Sequence, residues 1–311
     1  MDNQYRDFEI WSRALIESKD VDPVYPLVRG IIEEYGFEPE WFAFVYTSFY
    51  SLESAVKMCK RMPTKEKFNP SRFKEMRLSR FLHHYSHERR GVARSIEGQT
   101  KSLERVVNFL KAAEKGGGFS PKIRDWDNQE FRSFVMTFPL FGEWASFKIA
   151  ELFEKSLDYS NLRILDLNLD KKDPNKNDGP VGGLRWLYGR NQRYDRSIFP
   201  VWNRFGENLA DAWGVDMGEV ETCLCKWHKM KTGKYWVGHD IAEFISLKPV
   251  LEQKRYYRLM NNNFDRRFWH NISKFPKELK PVYFKTGKIL NDDFAKSLPE
   301  INVLKVLLDT E

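Results

Sequence analysis

The sequence predicts a mainly α-helical globular fold, and three observations lead to this prediction. Apolar residues recur every three or four positions in several windows, as they do on the buried face of a helix. Proline and glycine stand at the ends of these windows, where helices begin and end. Strand signals are few and short, and the clearest lies at residues 282–284. With 311 residues, of which 41 % are hydrophobic and 15 % aromatic, the chain can bury a large core.

The predicted helices follow one another along most of the chain. The first clear one begins with Pro39 at its first position, where the missing N–H costs nothing. A triple glycine at 116–118 ends the third helix and is the best boundary, and residues 170–183 form the longest loop. We therefore expect a helical region with a basic stripe at 1–115 and a second helical region at 119–311, as two domains or one continuous domain. The predicted helices span residues 38–63, 71–87, 88–115, 128–138, 143–157, 203–213, 217–229 and 240–261.

Charge is unevenly distributed around the net value of +7. Residues 1–56 hold 4 Lys/Arg and 11 Asp/Glu, whereas residues 57–94 hold 12 Lys/Arg and 3 Asp/Glu. A basic segment interleaved with aromatic residues is typical of a protein that binds a phosphate backbone. The alternative is a solvent-exposed helix face whose positive charge compensates the negative charge of residues 1–56. For DNA-backbone contact within this segment we select Arg72, Arg77 and Arg80.

A turn at residues 138–142 separates two predicted helices and resembles the helix–hairpin–helix of DNA glycosylases. Gly142 lets the backbone turn, and the N–H groups that begin the second helix can bind a DNA phosphate. Leu140 departs from the pattern because a glycine usually stands there, and Glu143 would repel phosphate unless it caps the helix. An ordinary αα-corner is the alternative. In the glycosylases the active aspartate follows the second helix, where this chain has Asp166 and Asp170 in a segment of alternating apolar and polar residues.

Two further groups of residues have both a chemical and a structural interpretation. Gly182 and Gly183 open a predicted helix near Arg185 and can cradle a diphosphate through backbone N–H groups, or serve packing alone. Four residues have side chains of the types that bind zinc, but Cys-x-Cys spacing is tighter than in zinc sites, so we expect no metal. These are Cys223, Cys225, His228 and His239. The pair His83 and His87 lacks the glutamate of a metalloprotease, and we expect no cofactor.

The sequence lacks the features by which several other classes of protein are recognised. No apolar run is long enough to span a membrane, and the first residues lack the pattern of a signal peptide. Three cysteines are too few for a disulfide framework, which favours a cytoplasmic location. The motifs of nucleophile-elbow hydrolases, dinucleotide-binding proteins and P-loop enzymes do not occur.

Two adjacent segments carry a more specific resemblance. Residues 221–229 read Glu-Thr-Cys-Leu-Cys-Lys-Trp-His-Lys, and residues 233–241 read Gly-Lys-Tyr-Trp-Val-Gly-His-Asp-Ile. With these segments the chain, over roughly residues 80–255, resembles the alpha-glutamyl/putrescinyl thymine pyrophosphorylases, the bacteriophage amino acid:DNA transferases. The resemblance implies double-stranded DNA as partner, carrying 5-hydroxymethyluracil whose hydroxymethyl group is diphosphorylated. An amino acid or a polyamine then displaces pyrophosphate and forms a C–N bond, in the cytoplasm of an infected host cell.

The resemblance also implies three groups of site residues. Such a site needs a carboxylate to accept a proton from the amine, cations for the leaving diphosphate and aromatic rings for a flipped base. For the carboxylate and the amine the candidates are Asp166, Asp170, Glu221 and Asp240. For diphosphate they are Arg89, Arg90, Arg94, Arg185, Lys226 and Lys229. For base stacking they are Trp186, Trp227, Tyr235 and Trp236. The alternatives are a helix–hairpin–helix DNA glycosylase and a non-enzymatic DNA-binding protein.

Overall fold

A computed structural model describes residues 2–76, 96–115, 123–169, 172–232, 235, 240–241 and 251–264. Over these residues it confirms a mainly α-helical fold, with twelve α-helices, three short 3-10 helices and no strand. The 3-10 helices span Lys65–Lys67, Ser160–Leu162 and Arg196–Ile198. The α-helices are α1 (Asp2–Glu17), α2 (Val24–Tyr35), α3 (Pro39–Phe49), α4 (Leu52–Cys59), α5 (Pro70–Glu75), α6 (Ile96–Lys115), α7 (Asn128–Val135), α8 (Glu143–Leu157), α9 (Gly179–Tyr188), α10 (Phe199–Trp213), α11 (Met217–Lys231) and α12 (Gln253–Asn263).

The described residues form two compact units. The first unit takes residues from 2–23, 164–241 and 264, so it joins the N-terminal helix to a much later part of the chain. The second unit takes residues from 24–163 and 251–263. The boundary predicted at residues 116–118 lies outside the described residues. None of the helices that the structure describes is both long and apolar enough to cross a membrane.

In the first unit, α1 and α9 pack against α11. The contact between α9 and α11 is close because glycines face α11. A Cβ atom on Gly183 would lie 2.3 Å from the carbonyl oxygen of Leu224, and one on Gly182 would lie 2.7 Å from Cγ of His228. Real Cβ atoms do not approach backbone so closely, which favours the packing interpretation of the glycine pair. Aromatic side chains of α1 complete this core, with the Trp11 and Trp227 ring centroids 6.4 Å apart.

The second unit is built around α3. Its residues 41–49 are all buried, because α4, α6 and α8 pack around it. Phe44 lies at the centre, with its ring edge-on to those of Phe138, Phe141 and Phe153 at centroid distances of 5.8–5.9 Å. Such edge-to-face arrangements add to the stabilisation from burial alone.

Two segments differ from what the sequence pattern indicates. The helix predicted at 38–63 is two helices, because Tyr50 adopts a left-handed conformation (φ 49°) and Ser51 caps α4 by accepting the N–H of Ser54. The segment 165–169 is not extended. Asp166 Oδ1 accepts the backbone N–H of Asn168 at 2.6 Å, and Asn168 has a φ of 53°. This local side-chain hydrogen bond favours a turn over a strand.

Other boundaries agree more closely. The helix predicted at 143–157 has these bounds in α8, and α10 and α11 extend the predicted 203–213 and 217–229 by a few residues. Of the helix predicted at 71–87 the structure describes α5, and of that at 240–261 it describes residues 240–241 and α12. The predicted strand at 282–284 lies outside the described residues.

Candidate active site

Lys226 is the centre of a buried polar cluster in the first unit. It lies on α11, which begins at a capping box in which Asp216 accepts the N–H of Glu219 and Glu219 accepts that of Asp216. This reciprocal capping fixes the start of the helix and therefore the direction of the side chains along it. The Lys226 side chain is only 6 % exposed. A buried ammonium is retained only where charges and hydrogen bonds compensate its lost hydration.

Four groups compensate the Lys226 ammonium. Nζ lies 2.7 Å from Oδ2 of Asp240. It also donates to the backbone carbonyl of Asp20 and, at 2.5 Å, to that of Val21. The ring of Tyr235 lies beneath it, 4.8 Å from Nζ to the ring centroid. One ammonium therefore holds the turn after α1 and the segment after α11 together.

Asp20 is fully buried beside this lysine. The turn that ends α1 positions it, since the N–H of Asp20 donates to the carbonyl of Leu15 at 2.9 Å. Oδ2 accepts the hydroxyl of Tyr235 at 2.9 Å, and Oδ1 accepts the backbone N–H of Ile241 at 3.1 Å. We refer to Asp20, Lys226, Tyr235 and Asp240 as the Lys226 cluster.

The groups of the cluster shift one another's pKa values. Burial raises the pKa of Asp20 from 3.8 to about 6; Lys226 opposes this rise and Asp240 adds to it. Burial would lower the pKa of Lys226, but Asp240, Asp20 and Asp22 outweigh it and the net shift is upward. Burial and the carboxylates of Asp20 and Asp240 raise the pKa of Tyr235, so its hydroxyl keeps its proton. At neutral pH the cluster therefore carries an ammonium, the carboxylate of Asp20 and a neutral phenol.

Asp240 is the member of the cluster that reaches solvent, with 29 % of its side chain exposed. Its partner Lys226 and the supporting residues Asp20 and Tyr235 are buried. A carboxylate held from behind by a buried ammonium presents its outer face to an incoming molecule. Such a group can accept hydrogen bonds from an ammonium ion or accept a proton.

Of the residues predicted from sequence, the structure brings Lys226, Tyr235 and Asp240 together. Glu221 lies one turn earlier on α11, nearly buried, and accepts the thiol of Cys225 at 3.1 Å. Asp166 is exposed in its turn after α8. The structure does not describe Asp170, Trp236, His239, Arg77, Arg80, Arg89, Arg90 or Arg94, so their roles stay predictions.

The guanidinium of Arg185 is directed at backbone carbonyl oxygens. It donates to the carbonyl oxygens of Asn175, Arg190 (2.5 Å) and Gln192 (3.3 Å) and is 8 % exposed. Lys229 is half-buried on α11. These placements are consistent with a structural role for Arg185, and a diphosphate role for either residue stays a prediction.

The predicted stacking residues have different environments. Trp227 is fully buried beside Phe8, with ring centroids 5.5 Å apart, so it lies in the core. Trp186 is half-buried, with the guanidinium of Arg190 4.4 Å from its ring centroid and Nζ of Lys231 at 5.9 Å. Among the described members of the predicted stacking set, Trp186 is the most accessible to a base.

The hairpin residues lie in the second unit. Gly142 is the N-cap of α8 and is exposed, and the hairpin position held by Leu140 has a φ of 72°. A glycine would adopt this left-handed conformation without strain. Glu143 lies 3.3 Å from Arg132 of α7. Arg72 is exposed on α5. DNA contact by this hairpin and by Arg72 stays a prediction.

Among the described residues, no group of three or more His, Cys, Asp or Glu side chains is arranged to hold a metal ion. Cys223 is buried, and burial raises the pKa of its thiol well above the usual range. Cys225 is half-buried, with its thiol directed at Glu221.

Sequence reasoning missed Asp20, the most deeply buried carboxylate of the cluster. It lies in the segment Asp20-Val21-Asp22-Pro23 directly after α1, and Asp22 also contacts α11 by accepting the hydroxyl of Thr222 at 2.7 Å. Two aspartates that alternate with apolar residues before a proline were a usable signal. Their partners are some two hundred positions away, so no local pattern connects them.

The comparisons with known proteins bear on this geometry. A family model described as "Amino acid:DNA transferase" matches residues 16–235. The matched region includes Asp20, Lys226 and Tyr235, and it covers well over half of the chain. No curated protein and no solved structure matches.

Proposed function

The chain belongs to the amino acid:DNA transferase family, and on this premise we propose that it joins an amino acid or another amine to a base of double-stranded DNA. The acceptor in this proposal is 5-hydroxymethyluracil whose hydroxymethyl oxygen carries a diphosphate. The amine nitrogen forms a bond to the methylene carbon while the carbon–oxygen bond breaks, and pyrophosphate leaves with the bonding electrons.

The Lys226 cluster is the observation that carries the assignment of roles. An amine arrives mainly as an ammonium ion, which must lose a proton before its lone pair can attack. In the proposed reaction Asp240, through its exposed face, binds this ammonium and accepts the proton. Lys226 holds the Asp240 carboxylate in place, while Asp20 and Tyr235 position Lys226 from the buried side. The new secondary ammonium releases its second proton to solvent.

The leaving diphosphate needs cations, because charge accumulates on its bridging oxygen as the bond breaks. We assign this role to Arg89, Arg90 and Arg94, with Lys229 in support, and we assign base stacking to the face of Trp186 that Arg190 does not cover. We expect Arg90→Ala to lower the transfer rate much more than Lys111→Ala, which removes an exposed cation of α6. Equal rates for the two variants would remove Arg90 from the site.

The direct test is mass spectrometry of nucleosides. DNA with diphosphorylated 5-hydroxymethyluracil is incubated with the protein and with amino acids or putrescine in turn. We expect a thymine nucleoside that carries the amine at its methyl carbon, together with free pyrophosphate. Absence of such a nucleoside with every amine would overturn the proposal. Free base or abasic sites would indicate a glycosylase, and salt-dependent binding without any product would indicate a DNA-binding protein.

Asp240→Asn tests the role of the carboxylate, because it keeps the shape of the side chain and removes the base. The matched control is Asp211→Asn, on the exposed side of α10 in the same unit. We expect loss of transfer of on the order of 10²-fold or more for Asp240→Asn, as for removal of a general base, and little change for the control. Equal activity of the two variants would exclude Asp240 as the base.

A further inference from the structure

A short arginine-rich loop of the first unit has no role in the reaction proposed above. Residues 190–196 read Arg-Asn-Gln-Arg-Tyr-Asp-Arg and follow α9; we call them the arginine loop. Arg190, Arg193 and Arg196 are all exposed. Across the part of the chain that the structure describes, none of the three forms an ion pair with a carboxylate.

The acidic residue within the loop forms no ion pair with these arginines and offsets one of their three charges. The carboxylate of Asp195 accepts the backbone N–H of Ser197 at 2.8 Å and also the Ser197 hydroxyl. These hydrogen bonds lower the pKa of Asp195 and direct the carboxylate into its own turn. The loop therefore presents a local excess of positive charge.

The backbone of the loop is held in one conformation from beneath. The buried guanidinium of Arg185 donates to the carbonyl oxygens of Arg190 and Gln192 in the loop and to that of Asn175 in the preceding loop. Asn175 and Tyr194 then join the two loops, with Nδ2 of Asn175 2.7 Å from the Tyr194 carbonyl and the Tyr194 N–H 2.9 Å from Asn175 Oδ1. A surface ordered before binding loses less conformational entropy when its ligand arrives.

Aromatic side chains anchor both ends of the loop. The ring of Tyr194 meets the buried ring of Trp202 edge-on, with centroids 5.3 Å apart. At the other end Arg190 lies over Trp186, which fixes the direction of this guanidinium without cancelling its charge. The charged groups thus stand on a rigid base while their donors remain available.

We propose that the arginine loop binds the phosphate backbone of DNA, as a surface separate from the Lys226 cluster. The choice of DNA as the partner rests on the proposed function; the anionic, bidentate character of the ligand follows from the arginines themselves. From residue 190 to residue 196 the chain spans at most about 21 Å, given about 3.5 Å for each residue. This upper limit corresponds to about six base-pair steps of 3.4 Å, so the loop covers a short stretch of one strand and its arginines contact at most three phosphates there.

The test measures binding of the full chain to a fluorescein-labelled duplex of unmodified DNA by fluorescence anisotropy, over a series of salt concentrations and without amine. In the variant Arg190→Gln/Arg193→Gln/Arg196→Gln we expect the salt slope of the association constant to fall by about 0.9 for each lost phosphate contact, or about 2.7 in total. The control variant Lys101→Gln/Arg105→Gln/Lys111→Gln removes the same charge from the exposed side of α6. We expect it to keep most of the slope.

Three results would overturn the proposal. They are an unchanged slope in the arginine-loop variant, an equal fall in the control, and tighter arginine-dependent binding to phosphatidylserine vesicles than to the duplex. A third variant, with lysine at all three positions, keeps the charge and should keep the slope, which shows that the fall in the glutamine variant comes from lost charge and not from damage to the fold. Because no modified base is present, this binding result is independent of whether the transfer reaction occurs.

Discussion

Nζ of Lys226 lies 2.7 Å from Oδ2 of Asp240, and the same ammonium donates to the carbonyl of Asp20. A single buried cation thus joins two parts of the chain that carry carboxylates. Removing one partner of a buried pair leaves the other charge without compensation, which costs far more than the pair contributes. The stability of the first unit therefore depends on this lysine.

Lys226→Met keeps much of the apolar stem and removes the ammonium. We expect it to lower the free energy of unfolding by about 3–5 kcal/mol, because Asp20 and Asp240 then face each other without a cation. Urea unfolding followed by circular dichroism measures this. Lys176→Met, at an exposed position of the same unit, should change stability by less than about 0.5 kcal/mol. Similar values for the two variants would show that the buried pair is energetically unimportant.

The raised pKa of Asp20 predicts a dependence of stability on pH. The folded value of about 6 lies above the usual 3.8, so between these pH values the unfolded chain binds fewer protons than the folded one. The contribution of Asp20 is therefore fully present only below pH 3.8 and is lost as the pH rises from there through 6. The loss amounts to about 3 kcal/mol at 1.36 kcal/mol for each pKa unit.

Asp20→Asn removes this titration. The difference in unfolding free energy between the wild type and Asp20→Asn, measured in urea from pH 3 to pH 7, should shift by about 3 kcal/mol in favour of the variant as the pH rises. A difference that is constant over this range would contradict the raised pKa.

Gly183 tests the close approach of α9 to α11. In Gly183→Ala the new Cβ would lie 2.3 Å from the backbone oxygen of Leu224, so the two helices must move apart. We expect the free energy of unfolding to fall by about 1–3 kcal/mol, as it does when a core is overpacked. Gly142→Ala is the control, since its φ is −89° and nothing lies within 4 Å of the added Cβ. Thermal unfolding of both variants provides the comparison, and an unchanged melting temperature in Gly183→Ala would refute the packing role.

Arg185→Lys separates a structural from a diphosphate-binding role. Lysine keeps the charge but lacks the fork that reaches three carbonyl oxygens at once, so we expect the variant to lose about 1–3 kcal/mol of stability. The ratio of the dissociation constants for unmodified and diphosphorylated duplex should stay within about twofold of the wild-type ratio, because a disturbed arginine loop weakens the binding of both duplexes alike, whereas a lost diphosphate contact of 1.4 kcal/mol would change the ratio tenfold. Weaker binding of the diphosphorylated duplex alone, with unchanged stability, would instead assign Arg185 to the diphosphate.

Glu143→Gln tests the hairpin prediction. If the N-terminus of α8 binds a DNA phosphate, removal of the negative charge that pairs with Arg132 should tighten binding of the duplex several-fold, since each tenfold corresponds to 1.4 kcal/mol. Glu97→Gln, at an exposed position near the start of α6, provides the matched change of charge. Equal effects of the two variants in an anisotropy titration would favour the ordinary αα-corner.

Helices were predictable because their signals are local. The bounds of α8 follow from Gly142 before it and an apolar stripe within it. The break between α3 and α4 was not predictable, because the apolar pattern continues through Tyr50 and the left-handed turn there is compensated by burial on both sides. Tertiary packing outweighed the local pattern.

The site was predictable only in part. The resemblance of residues 221–241 led to Lys226, Tyr235 and Asp240, which the structure places in one cluster. It also suggested Trp227 as a stacking residue, although this ring lies in the core, since an aromatic residue on a helix has the same spacing in either role. The two aspartates before Pro23 mark the segment of Asp20, but no local pattern connects Asp20 with its partners, because these belong to a distant segment.

The pairing of Asp20 with Lys226 spans 206 positions of the chain, and it bears on the order in which the molecule assembles. Closing a flexible loop of that length costs roughly 5 kcal/mol of chain entropy, apart from a constant. Residues 24–163 lie within the loop and belong to the other compact unit. If they fold first they shorten it, so we expect α1 to be among the last helices of the first unit to dock, since it must wait for α11.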